Sequence, residues 1–228
     1  MKVMITALVI FLGIVWYLRQ TPGSNFDEIA KPTPKIEYDF FWQAEPGSLK
    51  LIDNTINKTD SSRVASESGC RSGINAFYYD TSNKPLGWLV IDSIKKGRFY
   101  SSRLLDGVVY VRDNRFIIDD LVPIDAKYGH QSGPILIKQF EIRKFNFEKD
   151  YPDRRSVAIQ TNDDQGVFAY FEEATMSQLA EKVMNLGEKY GFKVKNAINL
   201  DGGSSSSFWS ENSKISESFL SGGWWCKK

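Results

Sequence analysis

The residues best equipped for chemistry lie in one run, Asn196 to Trp209, which reads N-A-I-N-L-D-G-G-S-S-S-S-F-W. Ala197, Ile198 and Leu200 read as a short buried strand, and the polar Asn199 within it needs a partner. A single carboxylate, Asp201, stands where that strand ends. Gly202 and Gly203 let the backbone turn sharply and present consecutive N–H groups. Ser204, Ser205 and the two serines after them add hydroxyl donors beside those amides. An acid at a strand end, next to a donor-rich concavity, suits an anionic ligand and a proton transfer. The plain alternative is that Gly-Gly-Ser-Ser-Ser-Ser is a flexible surface loop. The apolar strand before it and Phe208-Trp209 after it argue against a linker.

Two further positions carry chemistry elsewhere. Asn75 is the odd polar residue in an apolar stretch, Ile74 to Tyr79, where an unpaired amide is costly. It either bonds a neighbouring backbone or faces a ligand. Arg154 and Arg155 open a strand; they are either solvated surface or, if one points inward, a bidentate clamp for phosphate. The only histidine, His130, rules out a zinc site of two or three histidines, and any Ser-His-Asp triad would have to run through it. It sits in Tyr-Gly-His-Gln-Ser-Gly-Pro and reads as a loop residue. A formal charge of +1 with acids and bases interspersed gives no basic stripe, which excludes a nucleic-acid partner.

The elements that must position these residues follow from hydrophobic period. Phe40 alternates with Ile36 and Tyr38 before Phe41-Trp42, and Leu49 to Ile52 follows a Pro-Gly turn; both read as strands. Asp53 to Ser68 reads as a loop or weak helix. Ile74 to Asp80 and Trp88 to Ile91 read as strand, turn, strand. Val108 to Val111 pairs with Phe116 to Ile118, and Ile135 to Ile137 is a further strand. Val157 to Ile159 pairs with Gly166 to Phe171 across an Asn-Asp-Asp-Gln-Gly turn. One soluble helix is expected over 176–190, with Thr175 as N-cap, Gln178 at capping-box spacing and Gly191 as the stop. Its stripe Leu179, Val183, Leu186 and Tyr190 packs on the core.

The ends of the chain add two expectations. Val3 to Leu18 is an apolar run between Lys2 and Arg19. At about 24 Å it is slightly short of a bilayer core, and no small-x-small cleavage site follows it. It reads as an uncleaved signal anchor, with a cleaved signal peptide or a buried helix as alternatives, and would export the rest to the periplasm or cell exterior. Residues 21–35 read as a proline-bearing linker. Cys70 and Cys226 are the only cysteines and are either a disulfide or two buried thiols.

Five short segments, in order between Ser66 and Trp209, resemble the phosphodiester glycosidase family. They are Asn75-Ala76-Phe77-Tyr78-Tyr79, Pro85-Leu86-Gly87-Trp88-Leu89-Val90, Gln131-Ser132-Gly133-Pro134-Ile135-Leu136, Arg155-Ser156-Val157-Ala158-Ile159 and Asn199-Leu200-Asp201-Gly202-Gly203-Ser204-Ser205. Either Ala76 and Phe77 stand in the family's glycine places or one glycine is lost there, and Ser204 replaces a third glycine; both changes would reshape or close the pocket. The fold class is then α+β: a mixed, largely antiparallel sheet with one long packed helix, preceded by the membrane anchor at residues 1–20. Residues 36–228 form the glycosidase-like domain.

The resemblance implies hydrolysis of a sugar-1-phosphodiester at its anomeric carbon. Asp201 would be the catalytic carboxylate, as nucleophile or as base toward water. Arg155 would steady the departing phosphate, and Asn75 would orient a sugar hydroxyl or the phosphate. Gly133, Gly202, Gly203, Ser204 and Ser205 would bind substrate. Two-acid logic asks for a second carboxylate among Asp80, Asp92, Asp119, Asp120 and Glu172. No ligand spacing demands a cofactor, and a divalent cation beside Asp201 stays open. Two other classes compete: a carbohydrate-binding or envelope-assembly module without turnover, and a metal-dependent phosphatase, which lacks the second aspartate such enzymes use.

Overall fold

Alternation along the strands decides which residues face which layer. Over residues 157–170, Val157, Ile159, Val167 and Ala169 point to one face and Ala158, Phe168 and Tyr170 to the other. Both sets are buried, so this part of the sheet is covered on two sides.

The computed structural model describes residues 40–145 and 149–228, all within one compact unit, Asp39–Lys228. In chain order the strands are β1 (Phe40–Ala44), β2 (Leu49–Asp53), β3 (Ser72–Asn75), β4 (Leu89–Ile91), β5 (Ile94–Lys95), β6 (Gly107–Arg112), β7 (Arg115–Asp119) and β8 (Tyr128–Ser132). There follow β9 (Ile135–Lys138), β10 (Glu141–Ile142), β11 (Asp153–Thr161), β12 (Gly166–Ala174), β13 (Val194–Asn199), β14 (Phe208–Trp209), β15 (Lys214–Ile215) and β16 (Gly223–Lys227). Helix α1 (Ser61–Glu67) lies between β2 and β3, and α2 (Met176–Tyr190) between β12 and β13.

These strands form three sheets: β1-β12-β11-β13-β9-β10, β15-β14-β3-β16-β2 and β5-β4-β8-β6-β7. Every named pair is antiparallel, which corrects the expectation of one mixed sheet. The two strands flanking α2 are parallel to each other only because β11 lies between them.

The main core lies where the three sheets face one another. Trp42 stacks on Phe168 with ring centroids 4.4 Å apart, and Trp225 packs edge-on to Phe116. Behind the first sheet, the α2 stripe of Leu179, Val183 and Leu186 covers Val157, Ile159 and Val167. The α2 caps are those expected: Thr175 Oγ1 accepts from the Gln178 N–H, and Gly191 is left-handed at φ 77°. Tyr190 is exposed, yet its ring lies 4.4 Å from that of Phe41. Helix α1 settles the ambiguity over Asp53 to Ser68: Asp60 caps it by accepting from the Arg63 N–H. Cys70 and Cys226 are joined as a disulfide.

Two local expectations fail for tertiary reasons. The strand read over Ile74 to Asp80 stops at Asn75, beyond which the Ala76 carbonyl accepts from the Asp201 N–H and the Tyr78 hydroxyl donates to the Leu200 carbonyl. His130 is in the middle of β8 rather than in a loop, and is fully buried. Its Nε2 accepts from the Trp225 indole N–H at 2.9 Å and its Nδ1–H faces the Gln131 carbonyl. Burial pushes its pKa down to about 4, so it is a neutral link between two sheets and not a base.

The membrane-anchored topology is also corrected. Among the described residues no helix is long and apolar enough to cross a membrane. Val3 to Leu18, on which the anchor, the membrane partner and the exported location rested, lies outside the described residues, as does the linker.

The bulk at Phe77 and Tyr79 is taken up by two glycines far along the chain. A Cβ on Gly223 would sit 2.0 Å from Phe77 Cε1, and one on Gly222 would sit 2.7 Å from Tyr79 Cδ1. Gly223→Ala is accordingly expected to lower stability by about 1–3 kcal/mol in denaturant titrations. Phe77→Leu in that background should recover part of the loss, so the two effects will be non-additive.

Candidate functional site

The site begins where β13 runs out. The Leu200 N–H donates to the Ser156 carbonyl and the Asp201 N–H to the Ala76 carbonyl, which fixes the chain on both sides of the strand end. Below it lies Asn75, with no exposed surface. Its Nδ2 donates to the Asp201 carbonyl, and its Oδ1 accepts from the Ser156 hydroxyl and from the Ser207 N–H. Of the two readings of Asn75, the structure gives the one in which it bonds neighbouring main chain. A 3-10 turn, Gly203–Ser205, follows. Gly203 is left-handed at φ 62°, and a Cβ there would meet the Asp153 carboxylate at 2.9 Å.

The turn bends back onto Asp201. The Asp201 carboxylate accepts from the Ser205 hydroxyl and the Gly202 N–H, while the residue as a whole is 9% exposed. Burial disfavours its charge more than those two bonds favour it, and raises its pKa to about 7. Amides expected to cradle a ligand are thus partly engaged within the protein. Gly202 serves Asp201, and the Ser205 and Ser206 N–H groups return to the Gly202 and Gly203 carbonyls. Ser204 is exposed, and its carbonyl accepts from the Ser218 and Phe219 N–H groups.

Asp201 opens into a cleft of about 650 Å³ that Ser205, Tyr78, Tyr79, Asp80 and Phe219 also line. Arg155 and Gly133 line a second pocket of about 360 Å³ with Asn199, and Tyr78 belongs to both. The two cavities therefore meet at one phenol. The Tyr78 hydroxyl donates to the Leu200 carbonyl at 2.7 Å and accepts from Asn199 Nδ2 at 2.9 Å. Burial, with the neighbouring Asp201 carboxylate adding to it, pushes the phenol pKa up and keeps it protonated. Asn199 Oδ1 is buried without a partner. Arg155 is tied by Nε to the Ala174 carbonyl and by Nη2 to the Tyr151 carbonyl; its Nη1 lies 3.5 Å from where a Gly202 Cβ would stand. Its guanidinium is therefore beside the Asp201 loop, whereas Arg154 turns away to Ser216 and Ser218.

Two of the sequence segments prove to build the second pocket's wall. Gln131, fully buried, accepts at Oε1 from the Trp88 and Tyr100 N–H groups and donates from Nε2 to the Tyr100 and Leu105 carbonyls. A Cβ on Gly87 would stand 2.3 Å from that Oε1, so the residue before Trp88 has to be glycine. A Cβ on Gly133 would stand 2.4 Å from the Leu104 carbonyl. Gly133 thus makes room for the loop over it.

The structure brings together Asp201, Ser205 and Tyr78 in one cleft and Arg155 and Gly133 in the adjoining pocket, with Asn75 beneath. Gly203 and Ser204 line neither cavity, and Gly202 stands between Asp201 and Arg155. Of the carboxylates offered as a second acid, Asp80 alone lines the Asp201 cleft, and its oxygen also accepts from the Ser82 and Lys84 N–H groups. Asp92 accepts from the Tyr128 hydroxyl, Asp120 pairs with Lys138, Asp119 accepts from the Asp120 N–H, and Glu172 is exposed on β12. Sequence reasoning missed Tyr78, Tyr79 and the Ser218–Gly222 loop. Tyr78 follows Asn75 by three, a signal hidden by reading the whole stretch as strand.

Comparison with known proteins bears on the fold and the family. The catalytic domain of zebrafish N-acetylglucosamine-1-phosphodiester alpha-N-acetylglucosaminidase, auto-inhibited by its pro-peptide, superposes with a TM-score of 0.58 at 12% identity, covering 86% of this chain and 84% of that one. A hypothetical protein from Synechocystis gives a TM-score of 0.55 at 14% identity over 82% of this chain and 58% of that one. At such identities the likeness is one of fold. No curated protein sequence matches the chain. The phosphodiester glycosidase family matches residues 68–224, more than half of the length. On that match, the chain belongs to the phosphodiester glycosidase family.

Proposed function

We propose that this protein hydrolyses a sugar-1-phosphodiester at the anomeric carbon. The observation that carries the reading is that Asp201 and Arg155 lie on either side of one glycine, Gly202, and each lines one of two cavities that share Tyr78. A carboxylate and a guanidinium so placed match the two demands of the reaction: a group for the attacking water and a counter-charge for the leaving phosphate.

In the proposed reaction, water attacks the anomeric carbon and the bond from that carbon to the phosphate oxygen breaks. Asp201 takes a proton from the water, and the phosphomonoester departs with the bonding electrons. Phosphate is already a good leaving group, so the larger contribution is stabilisation of its charge, which falls to Arg155. Asp80, in the same cleft, is the candidate for a second carboxylate, and Asn75 is a positioning residue that acts by holding the Asp201 main chain. The module without turnover would be favoured if Phe77 and Ser204 closed the site. Phe77 is instead packed in the core and Ser204 faces solvent, which supports an open cleft.

Assay of the protein against glycosyl phosphodiesters should release free sugar together with a phosphomonoester. Asp201→Asn should lower that release by about 10²–10⁴-fold, and Arg155→Gln by about 10²-fold, mainly in kcat. Inorganic phosphate as the first product, or full activity in Asp201→Asn, would sink the proposal. Because Asp201 must be ionised to act as base, kcat/KM is expected to fall about tenfold per pH unit below a midpoint near 7.

The same group ties stability to pH. Its folded pKa, about 7, is above the ordinary 3.8, so the folded state binds its proton more tightly. The stability this contributes is present in full below about pH 4 and is lost as pH rises to about 7. Asp201→Asn should therefore gain on the unaltered protein across that window, by at most about 4 kcal/mol, and hold the gain above it. Thermal melts of both proteins from pH 4 to 8 measure the difference; a gap that narrows with rising pH would contradict it.

A further inference from the structure

The two cavities that share Tyr78 are both largely apolar in surface and differ in the polar residues among their linings. On the Asp201 side the lining is rich in hydrogen-bonding groups, among them Asn54, Thr55, Asp80, Asn83 and Ser218, with the Tyr79 and Phe219 rings beside them. Hydroxyls and ring faces of that kind suit a sugar. On the Arg155 side the walls are Leu86, Leu104, Leu105, Pro134 and Met176, and Arg155 is the one charged residue lining them. A second sugar placed there would leave most of its hydroxyls without partners.

We infer that the substituent on the far side of the phosphate is a long aliphatic alcohol, an alkyl or isoprenyl chain, seated in the pocket beside Arg155; this rests on the hydrolysis proposed above. The phosphate would lie beside Tyr78, which lines both cavities, on the side where Arg155 lines the second of them. The apolar wall is built, not incidental. Buried Gln131 holds the Tyr100 and Leu105 carbonyls, Asp106 Oδ1 accepts from the Ile135 N–H, and Gly133 admits the Leu104 carbonyl against its backbone. The hydrogen bonds fix a loop whose side chains are left in the open: Leu104 is 59% exposed, Tyr100 60% and Phe99 45%. Apolar surface held out to solvent in this way, next to a charged pocket floor, is the pattern of an amphiphile site.

The test compares two phosphates that differ only in the alcohol. Octyl phosphate and glycerol phosphate are titrated calorimetrically into the full chain. Octyl phosphate is expected to bind at least about tenfold tighter. Leu104→Glu, at an exposed position and with an unchanged melting temperature, should bring the two within about twofold, while Arg155→Gln should weaken both. Equal binding of the two probes, or a preference that survives Leu104→Glu and Leu105→Ser, would overturn the assignment. A parallel assay of the octyl and glyceryl diesters of one sugar separates this from the reaction itself. Release from neither removes the hydrolysis while the titrations still decide the pocket, and faster release from the glyceryl diester removes the aliphatic alcohol.

Discussion

Placement of Asp201 depends on one side-chain amide. Asn75 ends a strand of the second sheet, accepts a hydroxyl bond from Ser156 in the first, and grips the loop between them at Asp201 and again at Ser207. All of this happens out of contact with water, where each bond is stronger and each missing partner more costly. The loop from Leu200 to Ser207 is thereby held at both ends, and the carboxylate inside it is kept dry enough to carry its proton near neutrality. Two sheets and the Asp201 carboxylate are thus coupled through a single residue.

The same economy explains two glycines of the second pocket's wall. Gly87 and Gly133 are each small so that another group can come close: one admits the Gln131 side-chain head, the other the Leu104 carbonyl. Their effect on a substrate is indirect, through the wall they allow to form. Phe77 shows the opposite trade. Its ring fills space that Gly223 leaves free, 146 residues further along the chain, so local bulk is absorbed by distant smallness.

How much of this was legible beforehand depended on whether the cause was local. Helix α2 and its caps, and the hairpin of β11 with β12, follow from period and turn chemistry within a few residues. Asp201 stood out because acid, glycines and serines are adjacent in sequence. His130 did not read as a core residue, since its partner is the Trp225 indole, 95 positions away. Tyr78 was submerged in an aromatic run whose strand-like pattern gave no hint that β3 stops at Asn75. The direction in which Arg155 points, and Arg154 does not, is set by the pleat of β11 and by what lies opposite, neither of which a pair of arginines announces.

Strand β16 occupies an interior place in its sheet, between β3 and β2, and carries Trp225 and the half-cystine that reaches Cys70. Without it β3 would lose one hydrogen-bonded neighbour, and the Phe77 ring would lose the backbone it packs against at Gly223. Strands β11 and β12 with α2 are close together in sequence, whereas β16 must find partners far earlier in the chain, so closing the wall beside the cleft is a long-range event tied down by the bond from Cys226 to Cys70.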